Sequence, residues 1–238
     1  MSIFLQAVAL VSDLPGSLVY YLIVLFILGF SAAIAGGQWR RERVIATGRL
    51  ALAAASIFAL HLLTFAVTLL AGVGLLDAAI VVPPLDRAVS ALTIVLIIWA
   101  FAFPDPSRPA DAAFGGATFL GLLALAISWG LWAQEVVQQN TPVYNGTVQE
   151  TAWELAQMSL LAIGLGVLAA RRKSEWPIGI ALLVLLLAGH IIHYLFPLAE
   201  NVPGAERLME IVAMPMFAAM IYRRIHPVSW ESLPLESL

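Results

Sequence analysis

The fold of this protein is decided by long apolar stretches that carry no acidic or basic residue other than histidine, such as residues 177–197, PIGIALLVLLLAGHIIHYLFP. A helix needs about 20 apolar residues to cross a bilayer, and this stretch has that length. Of the 238 residues, 61% are apolar and 11% are charged, whereas a soluble domain is about half apolar and about a quarter charged. The sequence therefore predicts an integral membrane protein and argues against a nucleic-acid-binding protein.

Stretches of this kind recur along the chain and are continuous, which favours helices over the alternating segments of a membrane β-barrel. The predicted spans are residues 17–37, 50–76, 87–104, 114–134, 152–170, 177–197 and 205–222. The predicted fold is thus an all-α, polytopic bundle of seven transmembrane helices over residues 1–224. Residues 225–238 carry prolines and glutamates without a helical period, and we expect a cytoplasmic linker or tail there.

Basic residues in the predicted loops are distributed unevenly between the two ends of the bundle. Ten of the twelve arginine and lysine residues fall at the end where helix 7 finishes, and only Arg87 and Arg207 fall toward the other end. Cytoplasmic loops carry such an excess of basic residues. We therefore expect the N-terminus outside, the C-terminus in the cytoplasm, and a multi-pass location in the plasma (inner) membrane.

Ionisable side chains inside membrane spans are costly, and each is a candidate functional residue. Several lie at i, i+3 and i+4 spacing on helices 5, 6 and 7, so they share one face of each helix. We expect them to line an outward-opening pocket for a small or amphiphilic ligand in the outer half, with Arg207 contacting Glu154, Glu210 or the ligand. The alternative is that these groups only pair with one another. The candidate ligand-binding residues are Trp153, Glu154, Gln157, His190, His193, Tyr194, Arg207 and Glu210.

Two histidines, His61 and His190, are predicted at similar depth on helices 2 and 6, and such a pair is able to ligate the iron of haem b. Hydrogen bonding of both rings is the preferred interpretation, and neither a cofactor nor a metal is predicted. Retinal is excluded because Lys173, in a loop, is the only lysine.

The motifs HExxH and GxSxG are absent, so we expect no catalytic activity in this chain. A small transporter is a further alternative, but the polar groups thin out toward the cytoplasmic half.

Residues 200–216, ENVPGAERLMEIVAMPM, are followed by Tyr222-Arg223-Arg224 and a linker containing proline and glutamate. This stretch resembles the end of the N-terminal seven-helix sensor region that precedes PAS, GAF and histidine-kinase modules in some bacterial signalling proteins. The resemblance implies that the bundle is a receptor or sensor that passes a signal to a cytoplasmic module. Any kinase or cyclase activity would then belong to that C-terminal module.

The expected partners are the lipid bilayer, an unidentified small-molecule or lipid-like ligand and the cytoplasmic module. Gly29, Ala33 and Gly37 form a stripe of small residues on helix 1. Such a stripe allows close helix packing. It is compatible with a homodimer face or with packing inside the bundle, and we favour packing inside the bundle.

Overall fold

The computed structural model of the protein describes residues 6, 8, 14–138, 143–172, 176–196 and 201–226. Seven long helices account for most of these residues, and the all-α prediction is confirmed. The helices are α1 (Leu14–Glu42), α2 (Ile45–Gly72), α3 (Ala78–Ala102), α4 (Arg108–Gln138), α5 (Val148–Arg171), α6 (Trp176–Leu195) and α7 (Gly204–Ile225). Residues 227–238, most of the expected tail, lie outside the described residues.

Six of the described helices, α1 to α6, are long and apolar enough to cross a membrane. Several large apolar residues of α4 point outward: for example, Phe119 is 66% exposed and Leu120 is 62% exposed. A surface of this kind suits lipid rather than water. The first two turns of α7 carry three charged residues, Glu206, Arg207 and Glu210, which separates α7 from the other six.

The helices are arranged around α3. The apolar segment of α3 is 78% buried, whereas that of α4 is only 6% buried. Helix α3 packs against α2, α4 and α5. The remaining contacts close the bundle: α2 packs against α1, α1 against α7, α7 against α6, and α6 against α5. Side chains on α3 are therefore placed to reach several other helices at once.

Helix α3 begins at Ala78, nine residues before the predicted start at 87, and the prediction that Pro83-Pro84 lies in a loop is wrong. Proline lacks an N–H, so Pro83 leaves the carbonyl of Ala79 without its helical partner. The indole Nε1–H of Trp132 on α4 donates to that oxygen at 2.6 Å. A neighbouring helix thus satisfies the backbone group that Pro83 frees, and α3 continues past this proline.

The C-terminal end of α3 is capped by arginines from three other helices. Arg49 on α2 donates to the carbonyl of Phe103 at 2.6 Å and forms an ion pair with Asp111 at 2.7 Å. The other two donors are Arg171, to Ala102 at 3.1 Å, and Arg224, to Ala100 at 3.1 Å. The last carbonyls of a helix lack intrahelical donors and carry the negative end of its dipole. These three arginines therefore hold α2, α5 and α7 to the end of α3.

The small residues of α1 do not share one environment. A Cβ atom placed on Gly29 would lie 3.3 Å from the ring of Phe58 on α2, whereas one on Gly37 would meet nothing within 4 Å. Ala33 and Gly37 line a groove of about 820 Å³ between α1 and α2. The groove lies at the end of the bundle where α7 finishes, which we call the arginine-rich end. Gly29 thus packs inside the bundle, as expected. A homodimer face formed by Ala33 and Gly37 at the groove stays the untested alternative.

Candidate functional site

Two arginines buried inside the bundle organise a network of charged side chains. Arg87 on α3 is 0% exposed and Arg207 on α7 is 2% exposed. Asp86 lies between them, 3.7 Å from Nη1 of Arg87 and 3.4 Å from Nη2 of Arg207. Both arginines lie in the half of the bundle where α1 begins. We call the network the charged cluster; it consists of Tyr20, Tyr21, His61, Asp86, Arg87, Glu150, Glu154, His190, His193, Glu206, Arg207 and Glu210.

The first part of the charged cluster surrounds Arg87. Its guanidinium lies 3.3 Å from Glu150 and 3.5 Å from Glu154, both on α5. His193 on α6 contacts Glu150 at 2.6 Å, and His190, one turn earlier, contacts Glu154 at 2.9 Å. These contacts tie α3, α5 and α6 together through charged groups that have almost no access to solvent.

Helix α7 brings Glu206 into this group through a close approach to α6. A Cβ atom on Gly189 would lie 3.1 Å from the Cα atom of Glu206, so a larger residue would press the two backbones apart by a few tenths of an ångström. The carboxylate of Glu206 lies 3.5 Å from Nδ1 of His190 and 3.9 Å from Nε2 of His193. Glycine at position 189 therefore places a third carboxylate beside the histidines.

The segment 143–147, between α4 and α5, closes the Arg87 group at the end of the bundle. Asn145 accepts a hydrogen bond from Arg87 at 2.9 Å and donates to the carbonyl of Val202 at 3.2 Å. The ring of Tyr144 lies over the Arg87 guanidinium, and burial raises the pKa of its phenol above the ordinary value. Thr147 caps α5 and accepts a hydrogen bond from the N–H of Glu150 at 3.1 Å, which fixes the position of that glutamate.

The second part of the charged cluster surrounds Arg207. This arginine donates to Ser17 at 2.9 Å and to Tyr21 at 3.0 Å, both on α1. Its guanidinium also lies 4.9 Å from the ring centre of Tyr20, a distance typical of cation–π contacts. The Tyr20 hydroxyl donates a short hydrogen bond to Glu210, one turn farther along α7. Arg207 and Glu210 thus attach α7 to α1.

His61 completes this second part from α2. Its Nδ1 contacts the carbonyl of Ile57 at 3.0 Å and its Nε2 contacts Glu210 at 2.9 Å. A carbonyl and a carboxylate both accept hydrogen bonds, and a neutral imidazole has one donor only. The arrangement therefore requires one extra proton, shared between His61 and Glu210.

The charges of the charged cluster do not balance when its histidines are neutral. Five carboxyl groups face two guanidinium groups. Isolated charges buried away from water are unfavourable unless they are paired or neutralised. Added protons or a bound cation would lower this excess negative charge.

A cavity of about 30 Å³ lies inside the charged cluster. Side chains from α1, α2, α3, α6 and α7 line it, among them His61, Asp86, His190, Glu206 and Glu210. A water molecule needs at least about 10–15 Å³ of such volume and two or more polar partners. The cavity thus accommodates one or two water molecules or a small ion, and a lipid-like ligand would require the helices to separate.

The structure brings together six of the eight residues predicted to line the pocket. Glu154, Gln157, His190, His193, Arg207 and Glu210 all lie within or beside the charged cluster. Trp153 is buried elsewhere, where its indole donates to Ser128 on α4 at 3.4 Å. Tyr194 is 44% exposed and lies on the outer surface of α6. The predicted i, i+4 pair of His190 and Tyr194 therefore does not face a single site, because the neighbouring helices leave that side of α6 uncovered.

The partners of Arg207 differ from those predicted. Its carboxylate partner is Asp86 on α3, whereas Glu154 pairs with Arg87 and His190. The predicted span began at residue 87, after Pro83-Pro84, so Asp86 fell outside it and Arg87 at its first position, and neither was predicted to line the pocket. The Thr147-x-x-Glu150 capping pattern was a usable signal for the start of α5 and the inward position of Glu150.

Haem ligation by His61 and His190 was the alternative to hydrogen bonding of both rings. Both ring nitrogens of His61 have partners, and Nδ1 of His190 is bonded to Glu154. Ligation of iron through His61 would require one of its hydrogen bonds to break.

Comparison with known proteins adds no assignment. No family model, no curated protein and no solved structure matches this chain.

Proposed function

We propose that this chain is a membrane-embedded signal-input domain. In this proposal it crosses the plasma membrane seven times, with the N-terminus outside and the C-terminus in the cytoplasm. A change in the protonation or cation occupancy of the charged cluster shifts α7, and α7 passes the signal to a cytoplasmic module. The proposal includes no catalytic step in this chain.

The observation that carries the proposal is the attachment of α7 at both of its ends. At its beginning, Glu206, Arg207 and Glu210 contact α6, α3, α1 and α2 through the charged cluster. At its end, Arg224 donates to the carbonyl of Ala100 on α3. The two attachments are about 25 Å apart at 1.5 Å per residue. Helix α7 is continuous between the two attachments, with Pro215 inside it, and in this proposal it transmits a change in the charged cluster to the arginine-rich end.

The packing between the two ends favours a sensor over a transporter. Phe101, Phe217, Leu182 and Ile221 are fully buried in the arginine-rich half. The rings of Phe101 and Phe217 pack edge to face at 5.7 Å. A transporter needs a polar path that alternates between the two sides, and an apolar layer separates the charged cluster from the arginine-rich end.

The size of the cavity narrows the kind of signal. A volume of about 30 Å³ lined by carboxylates and histidines suits a proton or a small cation better than the amphiphilic ligand expected from the sequence. The coupling to the bundle is then electrostatic, because adding positive charge removes repulsion between carboxylates on α5 and α7.

Amide hydrogen exchange of the full chain in lipid nanodiscs tests the proposal. Glu206→Gln neutralises one carboxylate of the charged cluster with little change in shape, and we expect altered exchange in the last turn of α7, residues 220–225. Glu135→Gln on the peripheral helix α4 is the matched control and leaves that exchange unchanged. Identical exchange in the wild type and in both variants would contradict the proposed coupling.

A reporter fused after residue 224 tests the orientation separately. The asymmetric distribution of arginine and lysine predicts a cytoplasmic reporter. A reporter on the outside of the cell would overturn the proposed topology.

A further inference from the structure

The charged cluster contains a group of side chains with the composition and spacing of a metal site. Building on the proposed function, we propose that Glu154, His190 and Glu206 bind one divalent transition-metal ion of the zinc type. One ligand atom from each of these residues lies within 4.8 Å of the other two, and all three residues are buried. They come from α5, α6 and α7, so the ion would join three helices.

The distances between the ligand atoms agree with those of a tetrahedral site. Nδ1 of His190 lies 2.9 Å from Oε2 of Glu154 and 3.5 Å from Oε2 of Glu206. Zinc bonds to nitrogen and oxygen of about 2.0–2.1 Å place neighbouring tetrahedral ligands about 3.3 Å apart. An ion therefore fits between these atoms with small side-chain movements, and the neutral imidazole of His190 would then carry its proton on Nε2.

Both carboxylates of the proposed site also have an unsatisfied buried oxygen. Oε1 of Glu154 lies 3.5 Å from Nε of Arg87 and Oε1 of Glu206 lies 3.9 Å from Nε2 of His193, and neither oxygen accepts a hydrogen bond. The side chain of Glu154 is 0% exposed and that of Glu206 is 9% exposed. Buried acceptors of this kind are rare unless a water molecule or an ion serves them. His190 and Glu206 also line the cavity of about 30 Å³, which has room for a water molecule as the fourth ligand.

Charge balance points to a divalent ion at this place. Around Arg87, the three carboxylates of Glu150, Glu154 and Glu206 face one guanidinium, which leaves two negative charges. In the second part of the charged cluster, Arg207 and the extra proton between His61 and Glu210 neutralise Asp86 and Glu210. A divalent ion bound by Glu154 and Glu206 would neutralise the remainder.

A neighbouring group, Glu150, Glu154 and His193, also has ligand spacing, but Arg87 already occupies its position. The Nη2 atom of Arg87 lies 3.3 Å from Glu150 and 3.4 Å from Nε2 of His193. The guanidinium supplies there the positive charge that a metal would bring. We therefore place a single ion, on the side of Glu154 that faces His190.

The ligand types favour a zinc-like ion over magnesium or calcium. An imidazole nitrogen is a good ligand for zinc and iron, whereas magnesium and calcium prefer oxygen ligands and larger coordination numbers. The chain has no cysteine, so thiolate does not enter the ligand set. Zinc is the appropriate probe because it is redox-inert.

Zinc content measured by mass spectrometry tests the site. The full chain without an affinity tag is treated with EDTA in nanodiscs and equilibrated with Zn²⁺ or Mg²⁺. We expect one Zn²⁺ per chain in the wild type and in the Glu135→Gln control, and no displacement by Mg²⁺. Glu206→Gln and His190→Asn should bind Zn²⁺ at least about 10-fold more weakly, since loss of even an outer-shell partner costs that much. Absence of Zn²⁺ from the wild type, or wild-type affinity in both folded variants, would overturn the proposal.

X-ray absorption spectroscopy of the zinc-loaded wild type tests the metal site even if the variants fail to fold. The expected spectrum has one imidazole nitrogen and two or three oxygens at about 2.0–2.1 Å. Two or more imidazoles on the zinc would contradict the assignment. The outcome is separable from the proposed function: zinc bound without any change in α7 exchange refutes the signalling role only. Altered exchange in Glu206→Gln without zinc binding refutes the metal site only.

Discussion

Replacement of Arg87 by methionine is the most informative perturbation of the charged cluster. Arg87 is 0% exposed, and Glu150, Glu154 and Asp86 lie 3.3, 3.5 and 3.7 Å from its guanidinium. Methionine fills much of the same space but leaves Glu150 and Glu154 without their nearest permanent cation and Asp86 with Arg207 alone. Loss of one partner of a buried ion pair costs about 3–5 kcal/mol, and the complete burial of Arg87 places it in that range. We expect the free energy of unfolding to fall by this amount.

The assay for Arg87→Met is unfolding by SDS titration in mixed micelles, followed by circular dichroism. Arg108→Met is the matched control because Arg108 is exposed at the start of α4, and its effect should stay within about 0.5 kcal/mol. The double variant Arg87→Met/Glu154→Gln should recover part of the loss, because one orphaned carboxylate is removed. A loss of less than about 1 kcal/mol for Arg87→Met, the value of an exposed pair, would show that the charged cluster is open to water.

Three further substitutions test individual contacts by the same assay. Trp132→Phe removes the donor to the Ala79 carbonyl and should cost about 1–3 kcal/mol, the penalty for an unsatisfied buried acceptor; no loss would show that α3 passes Pro83 without that bond. Gly189→Ala forces the backbones of α6 and α7 apart beside Glu206, and we expect a loss of about 1–3 kcal/mol from overpacking; wild-type stability would refute the close approach. Asp86→Asn leaves both buried arginines with one fewer carboxylate and should cost about 1–3 kcal/mol; an unchanged stability would mean that Asp86 does not bridge them.

The sequence was sufficient for the helical class and for most of the interior polar residues. Apolar runs of membrane length locate helices well, because every backbone group inside a bilayer needs an internal partner. Glu154, His190 and His193 were identified because ionisable residues in such runs seldom face lipid. Their burial in the structure, at 0%, 2% and 2% exposure, agrees with that rule.

The partners within the charged cluster required the three-dimensional structure. A proline pair predicts a loop from local chemistry alone, and only the indole of Trp132 on another helix explains why α3 continues past Pro83. The nine residues left out of the predicted span, 78–86, include Asp86 and put Arg87 at its first position, which concealed that both residues lie inside the bundle. Tyr194 lies outside the site for a different reason. Helical spacing defines which residues share a face, but not which part of that face a neighbouring helix covers.

The arginines at the other end show a similar limit. The number of basic residues at this end predicted the orientation of the chain in the membrane. It did not predict that Arg49, Arg171 and Arg224 donate to the last carbonyls of α3. Such contacts depend on which helix ends meet in space. In the proposed function, Arg224 is one of the links between α7 and the central helix.

The distance between the end of α7 and the turn joining α1 to α2 tests the central claim most directly. The chain has no natural cysteine, so spin labels on Val44→Cys and Arg223→Cys, both exposed, report this distance by pulsed electron paramagnetic resonance in nanodiscs. Introducing Glu206→Gln into this labelled protein should shift the distance by about 1–2 Å or more, the scale of helix shifts in switching proteins, whereas Glu135→Gln should leave it unchanged. The same distance distribution in all three labelled proteins would contradict the claim that the charged cluster controls the position of α7.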